Sequence, residues 1–184
     1  MVLSLISPVG SDFLKDFPGQ NAINSDLIDA YAGPCLTSDA LQSYTPALTA
    51  STTNPSLGTG SNLLLGSFYQ IWDQIFVWAQ FRFGTGHSSG SGTYIMTLPF
   101  SVDSTMSPST TNGASPILGN GNVWDASTIS GRSGVTVALR TANTVHFQIR
   151  YGSGSTTKNV DESGPIVWAA GDGVTFAARF KRLP

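Results

Sequence analysis

The chain has 184 residues, enough for one domain of ordinary core size with an appendage, or for two small domains. Only 11% of them are charged, against roughly 25% in an average soluble domain, and Ser and Thr supply the missing polarity. A net charge of −2, with nine Lys and Arg scattered along the sequence, leaves no basic stripe to neutralise phosphates and argues against a nucleic-acid partner. Weakly charged, hydroxyl-rich surfaces hydrogen-bond without ordering long side chains, which suits proteins displayed outside cells or packed into assemblies.

Residues 1–43 form a segment of their own kind. Met1–Pro8 has no basic stretch and too short an apolar core for a secretory leader, so synthesis in a cytoplasm is expected. No apolar run approaches the ~18 residues of a membrane span, and no membrane insertion is expected. Asp16-Phe17-Pro18-Gly19-Gln20-Asn21 is a turn-rich entry. Asn24 to Ala32 reads as one short helix: Asn24 or Ser25 caps it, Asp26 favours its first turn, and Gly33-Pro34 stops it. Leu27, Ile28 and Tyr31 then share one apolar stripe. So short a helix is marginal alone. Together with Phe17 it must dock on something, and the segment is read as an extended anchoring arm. Cys35 is the single cysteine and has no neighbouring His, so it reads as a small buried hydrophobe. The arm also holds Asp12, Asp16, Asp26, Asp29 and Asp39 against Lys15 alone, whereas the chain from Arg132 onward leans basic. Attraction between the two, within a chain or between neighbours, and scattered solvated charge both stay open.

From Tyr44 the periodicity changes from helical to alternating, and residues 44–184 are read as one β-domain. Leu63–Ile71 and Gln74–Phe83 are expected strands around a tight connection at Trp72-Asp73. In the second, Ile75, Val77, Ala79, Phe81 and Phe83 take one face and Phe76, Trp78, Gln80 and Arg82 the other. Apolar residues on both faces imply that both sides are at least partly covered. Thr93–Leu98 is a third strand, stopped by Pro99. Ser101–Thr128 reads as a long connection, with Ile117-Leu118 and Val123-Trp124 as points that can pin it to the core. Strands resume at Gly134–Arg140 and Thr144–Tyr151 around a short hairpin loop at Thr141-Ala142-Asn143. There Val145, Phe147, Ile149 and Tyr151 face inward, and His146, Gln148 and Arg150 face water or a neighbour. Ile166–Trp168 and Val174–Phe180 add two more strands, with a turn at Gly171-Asp172-Gly173. Many short strands with regular turn signals point to an all-β fold, an antiparallel β-sandwich of jelly-roll-like type.

Little of the sequence carries chemistry. Gly86-His87-Ser88-Ser89-Gly90 matches G-x-S-x-G, but a hydrolase needs its Ser on a strand-to-helix turn, and here another strand follows. His87, Ser88 and Ser89 are read instead as exposed loop surface, like the loops Ser101–Thr128 and Gly152–Gly164. The two histidines, His87 and His146, lack zinc-ligand spacing. Asp73, Asp103, Asp125, Asp161 and Asp172 mostly sit beside Gly, Ser or Asn, where turns want them, rather than as a catalytic pair with the single Glu162. Asp161-Glu162 has no spaced oxygen series for calcium. No catalytic residue, cofactor or metal is expected. The aromatic residues Phe68, Tyr69, Trp72, Phe76, Trp78, Phe81, Phe83 and Tyr94 gather in one hairpin and its neighbour, and most must be core. On the other face, Phe76, Trp78 and Arg82 mark a candidate subunit interface, because stranded apolar patches mark interfaces first. Stacking of exposed rings on sugars is the second reading.

The stretches Tyr44-Thr45-Pro46, Asn54-Pro55-Ser56-Leu57-Gly58-Thr59-Gly60, Gly66 with Tyr69, Phe83-Gly84, and Gly92-Thr93-Tyr94 through Leu98-Pro99 resemble a module of tailed phages that infect actinobacteria. It is found in mycobacteriophage-type minor tail proteins and in capsid-decorating or head-fibre proteins. Asp16–Asn21 and Leu27–Leu36 resemble the N-terminal part found with it, so the resemblance runs from about Asp16 to Pro184 and is densest before Pro99. It implies a rigid, non-enzymatic β-module, a homotrimer fixed to other virion proteins by its arm. Its work would be assembly, stabilisation or contact with the host envelope. A tail or tail-tip position is expected ahead of the capsid. A carbohydrate-binding adhesin for host-envelope glycans is the alternative of another class.

Overall fold

The computed structural model describes residues 41–106, 115–128, 131–150 and 157–183. All lie in one unit, Asp39–Pro184. The expected arm residues Phe17, Leu27, Ile28 and Tyr31, their helix, and Cys35 fall outside the described residues. The strands are β1 (Gln42–Tyr44), β2 (Leu48–Ala50), β3 (Leu63–Ile71), β4 (Gln74–Arg82), β5 (Tyr94–Thr97), β6 (Ile117–Trp124), β7 (Arg132–Thr141), β8 (Thr144–Arg150), β9 (Thr157–Asn159) and β10 (Gly173–Lys181). They pair antiparallel in one sheet of order β1-β3-β4-β10-β6-β7-β8-β5-β2, with β9 beside β8. The described domain is therefore all-β.

The alternation expected for β4 is present: Ile75, Val77, Ala79 and Phe81 are buried, with Phe83 just beyond the strand, while Phe76, Trp78, Gln80 and Arg82 point to the other face. Leu63–Ile71 also has the expected bounds and pairs with β4 along its whole length. The sheet curls around the inner face. Phe81 on β4 and Tyr94 on β5 belong to strands far apart in the sheet order, yet their ring centroids are 5.9 Å apart. Phe147 on β8 reaches Phe176 on β10 at 5.4 Å. Phe81, Phe83, Tyr94 and Trp168 form one group of mostly edge-on and tilted rings, each ring stabilised by about 1.5–3 kcal/mol for full burial. Tyr94 keeps its hydroxyl satisfied by donating to the Ser89 carbonyl at 2.8 Å, and burial raises its pKa well above the usual phenol range.

Three expectations are corrected. The long connection Ser101–Thr128 contains β6, a strand at the centre of the sheet, between β10 and β7. Its inner positions include Gly119 and Gly121, so no apolar alternation announces it. A Cβ on Gly121 would meet the Phe176 Cβ at 2.8 Å, and the glycine lets β10 bring that phenyl inward at the bend. Ile166–Trp168 is a loop rather than a strand: Val167 is 91% exposed, while Ile166 packs against the core and Trp168 is buried in it, donating its indole N–H to the Asp161 carbonyl. His146, expected outside, is buried. It lies between Ala138 of β7 and Ile95 of β5, flanked laterally on both sides.

Candidate functional site

Antiparallel register turns the outer face into lateral rows that can be read strand by strand. One row runs Tyr69, Phe76, Arg179 across β3, β4 and β10. The next is Ser67, Trp78, Ala177, Asn120, Thr136, Gln148 and Asn159, across seven strands. The third is Leu65, Gln80, Thr175, Asn122 and Gly134, and the fourth Leu63, Arg82, Gly173, Trp124 and Arg132.

Where the first two rows cross β3, β4 and β10 they make an apolar end. The Tyr69 and Phe76 rings stack in parallel at 4.7 Å, and the Arg179 guanidinium covers the other side of Phe76 at 5.2 Å, a cation–π arrangement that holds the stack upright. Trp78 stands between the small side chains of Ser67 and Ala177 and is 42% exposed. Around it opens a groove of about 470 Å³ whose lining includes Leu41, Tyr69, Phe76, Trp78 and Leu118. Phe76 and Trp78, taken from sequence as interface residues, are thus brought together. Arg82 shares their face but lies about 13 Å along the strand from Trp78, and it donates to the Ser61 carbonyl at 2.6 Å.

The last two rows make a polar end that sequence reading missed. Asn122, Trp124, Arg132 and Thr175 line a recess of about 290 Å³. The indole of Trp124 lies over Gly173, where a Cβ would meet Cζ2 at 2.8 Å, and its N–H donates to the Gly171 carbonyl at 2.8 Å. That carbonyl belongs to a loop fixed by Asp172. The fully buried Asp172 carboxylate accepts the backbone N–H groups of Ala126 and Ala169, each at 2.7 Å. Thr175 Oγ1 is buried with no hydrogen-bond partner. The expected turn at Gly171-Asp172-Gly173 was the available signal, but which strands it would tie together is invisible in one dimension.

The G-x-S-x-G segment forms no nucleophile elbow. It runs beside Thr53–Thr59 through backbone bridges Thr53–Ser91, Ser56–Ser88 and Thr59–Thr85. His87 packs on Phe83 at 4.7 Å, and its Nδ1 faces the Gly84 carbonyl. Of the three residues expected as exposed surface, Ser88 is exposed, while His87 and Ser89 are half-buried.

Asp103, Asp125 and Asp161 each accept both the N–H and the hydroxyl of the Ser or Thr two residues on, the local bonding that makes Asp a turn residue. At Asp103 these bonds, with Lys181 at 3.3 Å, hold the carboxyl below its usual pKa. Burial, and then the charge of Arg140, lower the pKa of His146, whose Nε2 accepts from the Gln148 amide at 3.1 Å while Nδ1 has no partner. Among the described residues, no three His, Cys, Asp or Glu come close enough to hold a metal ion, and no helix is long and apolar enough to cross a membrane. No family model, no curated protein and no solved structure matches this chain.

Proposed function

We propose that this chain is a structural protein of a bacteriophage virion that acts without catalysis. In this reading it is a minor tail or tail-tip component, and its curled sheet is a jelly-roll-like sandwich that assembles as a homotrimer. The observation that carries the reading is the exposed Tyr69 and Trp78, with half-buried Phe76, around an open apolar groove. A patch of this kind on an otherwise polar face is stabilised when a neighbouring protein covers it. The low charge and the resemblance of Tyr44–Pro99 to actinobacteriophage modules support the same reading, as does a segment at residues 1–43 suited to anchoring.

Light scattering tests the contact. The wild-type chain should measure as a trimer and Trp78→Asp as a monomer, since a carboxylate there cannot be desolvated cheaply. A wild-type monomer at every concentration overturns it. Immunogold labelling of intact virions tests the placement: gold at the tail tip supports it, and gold over the head moves the protein to a capsid-decorating position.

A further inference from the structure

We propose that the Trp124 recess is a saccharide-binding site whose ligand is a pyranose carrying a carboxylate. The inference does not rest on the trimer, since the recess lies on different rows from Trp78.

The platform is built before any ligand arrives. Gly173 leaves room for the indole to lie down, the Gly171 carbonyl fixes its rotation, and the Asp172 carboxylate fixes the loop that supplies that carbonyl. None of the aromatic ring pairs of the described residues includes Trp124, in contrast to Trp168, which packs with three rings. An indole held flat and left without a ring partner presents an electron-rich surface to the slightly positive C–H face of a sugar ring.

The walls supply the polar half of the site. Asn122 provides an amide, and Thr175 provides a hydroxyl that lacks any partner in the protein, a cost that a ligand hydroxyl entering past the exposed Asn122 side chain relieves. Beside Asn122 in the same row is Gly134, where a Cβ would meet nothing within 4 Å. The outer surface beside Asn122 is therefore open at this position.

Charge selects the ligand class. Arg132 lines the recess, and Arg82 lies on the same row beyond Gly173. Among the described residues neither arginine is in an ion pair, the three pairs being those of Lys158 and Lys181. A guanidinium without a protein carboxylate, beside a stacking ring, matches a ligand carboxylate through its planar fork of donors.

Saturation-transfer NMR on the full chain tests this with D-glucuronate and D-galacturonate, their neutral parents glucose and galactose, and sodium acetate. The uronates should bind with Kd on the order of 1 mM, the weak end of the affinity scale, and at least about ten-fold more tightly than the neutral sugars, which corresponds to one bidentate ionic contact of ~1.4 kcal/mol. Arg132→Met should erase that preference and Trp124→Leu should remove binding. Asn122→Ala should weaken binding of every sugar, and an unchanged thermal unfolding midpoint for each variant keeps lost binding from being ascribed to unfolding. Trp78→Ala should leave binding unchanged while it alters association. The proposal is overturned if no sugar gives transfer at about 10-fold above that Kd, if neutral sugars bind as well as uronates, if acetate competes as well as glucuronate, or if Trp124→Leu binds normally.

Discussion

Two groups of aromatic rings stand on opposite faces of β4. Phe81, with Phe83 just past the strand end, meets Tyr94 and Trp168 and is buried by the curl of the sheet; Phe76, one residue out of phase, meets Tyr69 and Arg179, and both it and Trp78 stay half open. The residue types are the same, and the difference lies in what lies across from them. The inner group is covered by strands of its own sheet, so its free energy is spent on folding. The outer group has only small lateral neighbours, Ser67 and Ala177, beside Trp78, so its apolar area stays partly open.

Breaking that comparison at its strongest point means removing an inner ring. Phe81→Ala should destabilise the domain by about 3–5 kcal/mol in urea unfolding, the transfer cost plus the cavity left behind. A loss below about 1 kcal/mol would mean that the curl is not closed around this ring.

The next effect is at the joint between the faces. Asp172→Ala leaves the Ala126 and Ala169 N–H groups without their carboxylate and should cost roughly 3 kcal/mol, in line with two hydrogen bonds to a charged acceptor. It should also shift Trp124 fluorescence, because the loop holding the indole loses its anchor.

A smaller effect depends on pH. His146 has a folded-state pKa below the ordinary 6.5, by burial first and Arg140 second. The unfolded chain therefore binds the proton more readily, so stability is complete above about pH 6.5 and falls as pH drops below it. His146→Gln should flatten that slope below about pH 6.5. A further acid loss, below about pH 4, should remain from Asp103, whose depressed pKa gives stability only while its carboxylate is ionised.

The least effect on folding belongs to the outer ring. Trp78→Ala should change the concentration-independent part of the unfolding free energy by no more than about 0.5 kcal/mol. An outer ring that proved as costly as Phe81 would erase the distinction between the two groups.

Sequence alone determined the two faces of β4, the β3–β4 and β7–β8 hairpins and the all-β class, because a period of two and a turn residue pair are local signals. It also placed Phe76 and Trp78 on one face. It did not reveal β6, where Gly119 and Gly121 replace the apolar residues that a strand normally shows, nor the burial of His146, which the alternation of its own strand does not announce. The Trp124 recess was least legible of all. Arg82, Trp124, Arg132 and Gly173 become neighbours only through the register of four strands. That register follows from how the inner side chains interlock around the curl, and a single strand's pattern carries no record of the partner it will meet.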